Sequence, residues 1–158
     1  MPAKQVPSSF LSYLPRLPYF YLRVKLHKVP VSYRPIVSQR QSISRNLSKF
    51  LCKVLTPIVG TFSTAHLQNT EDLKSRQEEA DPSIPFLLCD VESLFTNVLI
   101  EPLLGFLERK FYQGKLPLPE GYTIDGFIDL IRLCVKSTVF SFNGKYYRQR
   151  QGVSMGSP

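Results

Sequence analysis

With 158 residues, 43% of them hydrophobic, the chain is long enough for one domain with its own core, and no apolar run reaches membrane-spanning length. Its formal net charge of +8 is unevenly spread: the first 60 residues hold ten Lys/Arg and no acid, and all twelve Asp/Glu fall between Glu71 and Asp129. A purely basic first half points to a polyanionic partner, usually nucleic acid, and the amino end does not read as a signal peptide.

Residues 1–18 are rich in proline and aromatics, follow no period, and read as an irregular lead-in. Tyr19 to Leu26 alternates weakly and carries Arg23 and Lys25. It reads as a strand, with a turn around Pro30 and a second strand from Tyr33 to Ser38. Pro35 restricts that second strand to an edge or a strand start. Together they make a basic hairpin. Residues 43–58 predict a helix, with Ile43, Leu47, Phe50, Leu51, Val54, Leu55 and Ile58 on one face. Ser42 or Ser44 can cap it, and Gly60 ends it. Residues 70–80 predict a polar helix capped by Asn69 or Thr70, stopped by Asp81-Pro82.

The stretch from Pro85 to Val98 is the centre of the chain. Its apolar run, Phe86 to Cys89, reads as a buried strand ending at Asp90. A carboxylate at that position costs free energy unless it is solvated, paired or bound to metal. Strand ends are also where open α/β sheets place their chemistry. Phe95 follows in a turn-like segment. Residues 101–113 predict a helix with Leu103, Leu104, Leu107 and Phe111 inward, and residues 114–121 a Gly/Pro loop. Thr123 caps a further helix to about Lys136, with Ile124, Phe127, Ile128, Ile131 and Val135 inward. Asn143-Gly144 between alternating aromatics predicts a β-hairpin over 139–148. The mixture is α+β. The cysteines Cys52, Cys89 and Cys134 have no metal-ligand spacing and read as reduced, mostly buried thiols of an intracellular protein, nuclear or cytoplasmic.

Three segments, in order, carry a family likeness. They are Leu26-His27-Lys28 with Arg34-Pro35-Ile36-Val37-Ser38, then Asp90-Val91-Glu92-Ser93-Leu94-Phe95-Thr96-Asn97-Val98, then Tyr147-Arg148-Gln149-Arg150-Gln151-Gly152-Val153-Ser154-Met155-Gly156-Ser157-Pro158. Over residues 19–158 the chain resembles the reverse transcriptases of retroelements, most closely the Penelope-like group. The resemblance implies a right-hand polymerase fold: fingers over 19–83 and 101–150, a palm strand over 84–100, and the start of the next palm segment over 151–158. It also implies RNA-directed DNA synthesis, a nucleotidyltransferase reaction, with an RNA template, a DNA primer, deoxynucleoside triphosphates and no membrane.

The resemblance assigns roles residue by residue. Asp90 is the catalytic carboxylate and, with the Val91 carbonyl, a ligand to Mg²⁺, two ions serving the complete family site. Phe95 lies under the sugar of the incoming nucleotide and leaves no room for a 2′-hydroxyl. Lys25 or Lys28, with Arg34, grips the triphosphate. Gln151 and Gly152 pack against the nascent base pair, and Arg148 and Arg150 contact template phosphates. The family's Asp-Asp hairpin would follow Pro158, and Leu99 stands where the family commonly has proline. The chain is therefore expected to be a fragment, inactive alone as a polymerase. The alternative is a non-catalytic nucleic-acid-binding module derived from such an element.

Overall fold

The computed structural model describes residues 15–26, 29–85, 87–136 and 138–156. Its sheet starts from the basic hairpin. Strand β1 (Tyr19–Lys25) pairs antiparallel with β2 (Ser32–Ser38) along its whole length, from Tyr19 opposite Ser38 to Lys25 opposite Ser32. Strands β3 (Val139–Phe142) and β4 (Lys145–Arg148) form the second hairpin. Its turn residues, Asn143 and Gly144, have φ of +47° and +72°. A two-residue turn that follows the strand twist needs both to be left-handed, which is why Asn-Gly encodes it. Tyr19 opposite Ser141 joins β1 to β3 in parallel, giving the order β2-β1-β3-β4. The Ser141 N–H donates to the Pro18 carbonyl at 2.8 Å beside that joint.

Pro35 does sit on an edge strand. Two residues on, Val37 donates its N–H outward, to the Met155 carbonyl at 2.9 Å. An antiparallel ladder alternates with period two, so the Pro35 nitrogen also faces away from β1. Its missing N–H therefore removes no bond from the ladder.

Five helices follow among the described residues: α1 (Arg45–Leu55), α2 (Thr70–Glu79), α3 (Leu94–Asn97), α4 (Ile100–Tyr112) and α5 (Ile124–Lys136). The first is shorter than the expected 43–58. Ile43 precedes it and is exposed, and Thr56–Ile58 tightens into a 3-10 turn. Pro57 has no N–H to continue the α-helical pattern. Ser44 stands at the N-cap, but its hydroxyl lies against Ser42 Oγ at 3.2 Å and bonds no helix N–H. Asn69 and Thr123 cap as expected: Asn69 Oδ1 accepts the Asp72 N–H at 2.9 Å, and Thr123 Oγ1 the Gly126 N–H at 3.2 Å.

The core lies between α1, α4 and α5. Leu47 and Leu51, Leu104, Leu107 and Phe111, and Phe127, Ile128 and Ile131 are buried together, as the helical spacing predicts. Leu103 is the exception on its predicted face and is exposed. Phe127 is fully buried, edge-on to Phe111 and Tyr122 at centroid distances of 5.4 and 5.9 Å. Burying such a ring stabilises by roughly 1.5–3 kcal/mol. The sheet stands apart from this cluster, and Val37 is the one buried apolar residue of its strands.

The expected palm strand over 84–100 is the main correction. Residues 87–91 form no strand, and Leu87 and Leu88 are 88% and 96% exposed. An apolar run becomes a buried strand only when a neighbouring strand takes its backbone groups, and no strand of the described residues pairs with this one. Phe86 lies outside the described residues. No helix among the described residues is long and apolar enough to cross a membrane.

Candidate functional site

The segment after Asp90 folds into a tight knot. Ser93 is left-handed, with φ of +51°. Its carbonyl accepts from the Thr96 N–H at 3.1 Å and the Thr96 hydroxyl at 2.9 Å, and Asn97 Nδ2 donates to the Glu92 carbonyl at 3.1 Å. These bonds hold the single turn of α3, which is too short to persist by propensity alone.

Residues 149–156 dock against this knot and against β2. The Val153 N–H donates to the Phe95 carbonyl at 2.7 Å, and Gln39 Nε2 donates to Ser154 Oγ at 2.9 Å. Gly152 is buried with φ of +68°. A Cβ there would lie 2.5 Å from both Thr96 C and Thr96 O, so only glycine fits. Gly156 repeats the device against β2, with φ of +109° and a Cβ position 2.8 Å from the Val37 carbonyl oxygen.

Between these elements opens a cleft of about 450 Å³. Phe20, Pro35 and Phe140 form part of its sheet side. Val91, Leu94 and Phe95 come from the α3 knot, and Arg150, Gln151 and Met155 from the docked segment. Lys25 and Arg34 are at its rim, although the register sets their Cβ atoms on the sheet's other face, with Tyr21 and Arg23. Three cations and no carboxylate line it, so it favours an anionic group. Its apolar area comes mainly from aromatic and aliphatic side chains, including Phe95, which is 41% exposed.

The structure thus brings together Lys25, Arg34, Val91, Phe95, Arg150 and Gln151 from three distant stretches. Lys28 lies outside the described residues. Arg148 is exposed on β4, opposite Val139, away from the cleft lining. Gly152 does not line the cleft, although its neighbours Gln151 and Val153 do. Asp90 is exposed and does not line the cleft. Its chain neighbour Val91 does line the cleft. Phe20 and Phe140 carry no site role in the sequence, and Met155 appears there only within the third likeness segment. Strand alternation places the two phenylalanines on one face, but only the β1–β3 joint makes them neighbours, with rings 5.5 Å apart.

Among the described residues, Asp90 and the Val91 carbonyl offer at most part of a Mg²⁺ site. A hard divalent cation takes about six oxygen ligands, and one exposed carboxylate with one carbonyl falls well short. No group of three or more His, Cys, Asp or Glu gathers among the described residues. The cysteines also differ from expectation, since Cys52 and Cys89 are exposed and only Cys134 is part-buried. Burial pushes the Cys134 thiol above the ordinary range, partly offset by the Ser48 hydroxyl, which donates to its Sγ at 3.6 Å. Comparison with family models, with curated proteins and with solved structures finds no match to this chain.

Proposed function

We propose that this chain is a reverse-transcriptase-type domain of Penelope-like descent, whose cleft receives a deoxynucleoside triphosphate beside an RNA template and DNA primer. One observation supports the reading: the three segments that carry the sequence resemblance line a single cleft. The arrangement suits the ligand chemically. Lys25, Arg34 and Arg150 offer charge to phosphates, Phe95 offers a ring to a sugar, and Gln151 can hydrogen-bond a sugar or base. Work on nucleic acid places the protein inside the cell, in the nucleus or cytoplasm.

A specific observation favours the non-catalytic version of this reading. Asp90 is exposed outside the cleft lining, and no group of three or more His, Cys, Asp or Glu forms among the described residues. The chain on its own therefore binds triphosphate and template–primer but adds no nucleotide.

Photo-crosslinking of 4-thio-deoxythymidine triphosphate in the presence of a primer–template tests the cleft. Crosslinked peptides should cover residues 91–96 and 149–155, and Arg150→Ala should weaken the signal. Crosslinks elsewhere, or none, overturn the reading. Phe95→Val should let the ribonucleotide analogue compete better against the deoxynucleotide. Primer extension in Mg²⁺ should show no product; incorporation abolished by Asp90→Ala would reject the non-catalytic version.

A further inference from the structure

We propose that the sheet face opposite the cleft is a stacking surface for single-stranded nucleic acid. The inference takes its partner class from the proposed function, but its site lies on the other face of the sheet and shares only Arg34, at the cleft rim, with it. The pairing register sorts the strand residues onto two faces. Phe20, Phe140 and Tyr147 share one face, where their rings stack on each other at 5.5 and 5.8 Å. The other face carries Tyr19, Tyr21 and Arg23 of β1, Arg34 of β2, and Tyr146 and Arg148 of β4.

Among the described residues, no element covers the tyrosines of that second face, and their rings stay substantially exposed. Tyr19 and Tyr21 lie 5.8 Å apart with planes 29° from parallel, and yet are 54% and 43% exposed. Tyr146 shares a row with Tyr19 across Ser141 and is 71% exposed. All three sit on paired strands, so the rings are presented by rigid backbone. A ring with a hydroxyl tip tolerates water on one side and offers its face to a base on the other.

The charges agree with the rings. The four strands hold five Lys/Arg and no Asp or Glu. Arg23 lies directly opposite Arg34, a like-charge pairing that an antiparallel ladder disfavours. Neither forms an ion pair with a carboxylate among the described residues. A phosphate between the two guanidinium groups would turn that repulsion into two charge-assisted contacts. An apolar protein partner would instead bury both charges unpaired, at a heavy desolvation cost. Exposed aromatic faces beside unpaired cations are the chemistry that holds unpaired bases without regard to sequence. A duplex keeps its base faces inside its own stack and offers this surface only phosphates.

The test is fluorescence anisotropy of the full chain with a labelled oligo(dT) 20-mer and with a duplex of the same length. The single strand should bind more tightly. Tyr19→Ala with Tyr21→Ala should weaken it about tenfold, the scale of one lost base stack. Duplex affinity should change little, and Tyr19→Phe with Tyr21→Phe should keep single-strand binding. Crosslinking of the unmutated protein to a 5-bromodeoxyuridine oligomer should map to Tyr19, Tyr21 or Tyr146. It gives a second readout should the alanine variant misfold. Unchanged affinity in a folded alanine variant, or crosslinks confined to the cleft, overturns this surface alone. No oligomer binding at low salt overturns both this surface and the nucleic-acid reading of the chain.

Discussion

Replacing Gly152 by alanine tests how the docked segment is held. Two separate costs arise there. An L-residue held at a left-handed φ is strained by about 1–2 kcal/mol. The new Cβ also meets backbone, not a yielding side chain, since it would lie 2.5 Å from Thr96 C and O and closer still to the Phe95 carbonyl oxygen. The segment must then retreat from α3, and the Val153 N–H to Phe95 bond at 2.7 Å is lost. Such a bond contributes about 0.5–1.5 kcal/mol, so the total is about 1.5–3.5 kcal/mol. At about 2–4 °C per kcal/mol for a domain of this size, Tm should fall by roughly 3–14 °C. Gly114 is the control: its φ is +64°, and no atom lies within 4 Å of its Cβ position. Gly114→Ala carries the strain alone. Thermal melts followed by circular dichroism compare the two. Triphosphate crosslinking should also drop in Gly152→Ala, because Arg150 and Gln151 move with the segment. If both variants melt together and crosslinking is unchanged, the close approach at Gly152 does not hold the cleft.

Three shorter predictions concern the helical core and its surface. Phe127→Ala should cost about 3–5 kcal/mol, read as a lowered urea midpoint, because its ring fills the junction of α1, α4 and α5. Alkylation by iodoacetamide near pH 8.5, mapped by mass spectrometry, should modify Cys89 ahead of Cys134. Burial holds the Cys134 thiol neutral, so its contribution to stability is complete below the unfolded thiol pKa and is lost as pH rises through the raised folded value. In an NMR titration Glu101 should ionise below an ordinary glutamate, because Lys136 donates to its carboxylate. Its small contribution is present above the unfolded pKa and lost as pH falls through the folded one, and Lys136→Met should raise the titration point.

Much of the local structure was legible because local rules decide it. Asn143-Gly144 fixes the hairpin by φ alone, and the helical faces of α4 and α5 follow their spacing, with Leu103 the exception. Pro35 announces an edge strand through its missing donor. The run ending at Cys89 misleads for the opposite reason. Its period is that of a buried strand, but strand formation depends on a partner, which no property of the run itself records. The cleft was half legible. Resemblance marked Lys25, Arg34, Phe95, Arg150 and Gln151, and with them Gly152, whose close backbone approach the structure bears out. The place of Asp90 depended on the missing strand, and the neighbours Phe20 and Phe140 depended on a single parallel joint between distant strands.

The outward edge of β2 limits how this protein can associate. Along it, the three backbone positions facing away from β1 are Tyr33, Pro35 and Val37. Proline offers no donor, and the Val37 donor is already taken by Met155. Of these donors only the Tyr33 N–H remains, beside the outward carbonyls, to greet an incoming strand. With one donor in three positions, growth of the sheet into an intermolecular ribbon is disfavoured on this side. The opposite edge, β4, begins with Lys145 and ends with Arg148, and two copies meeting there would bring like charges together. The protein can thus hold many aromatic rings open to water on its sheet without that sheet becoming a template for aggregation.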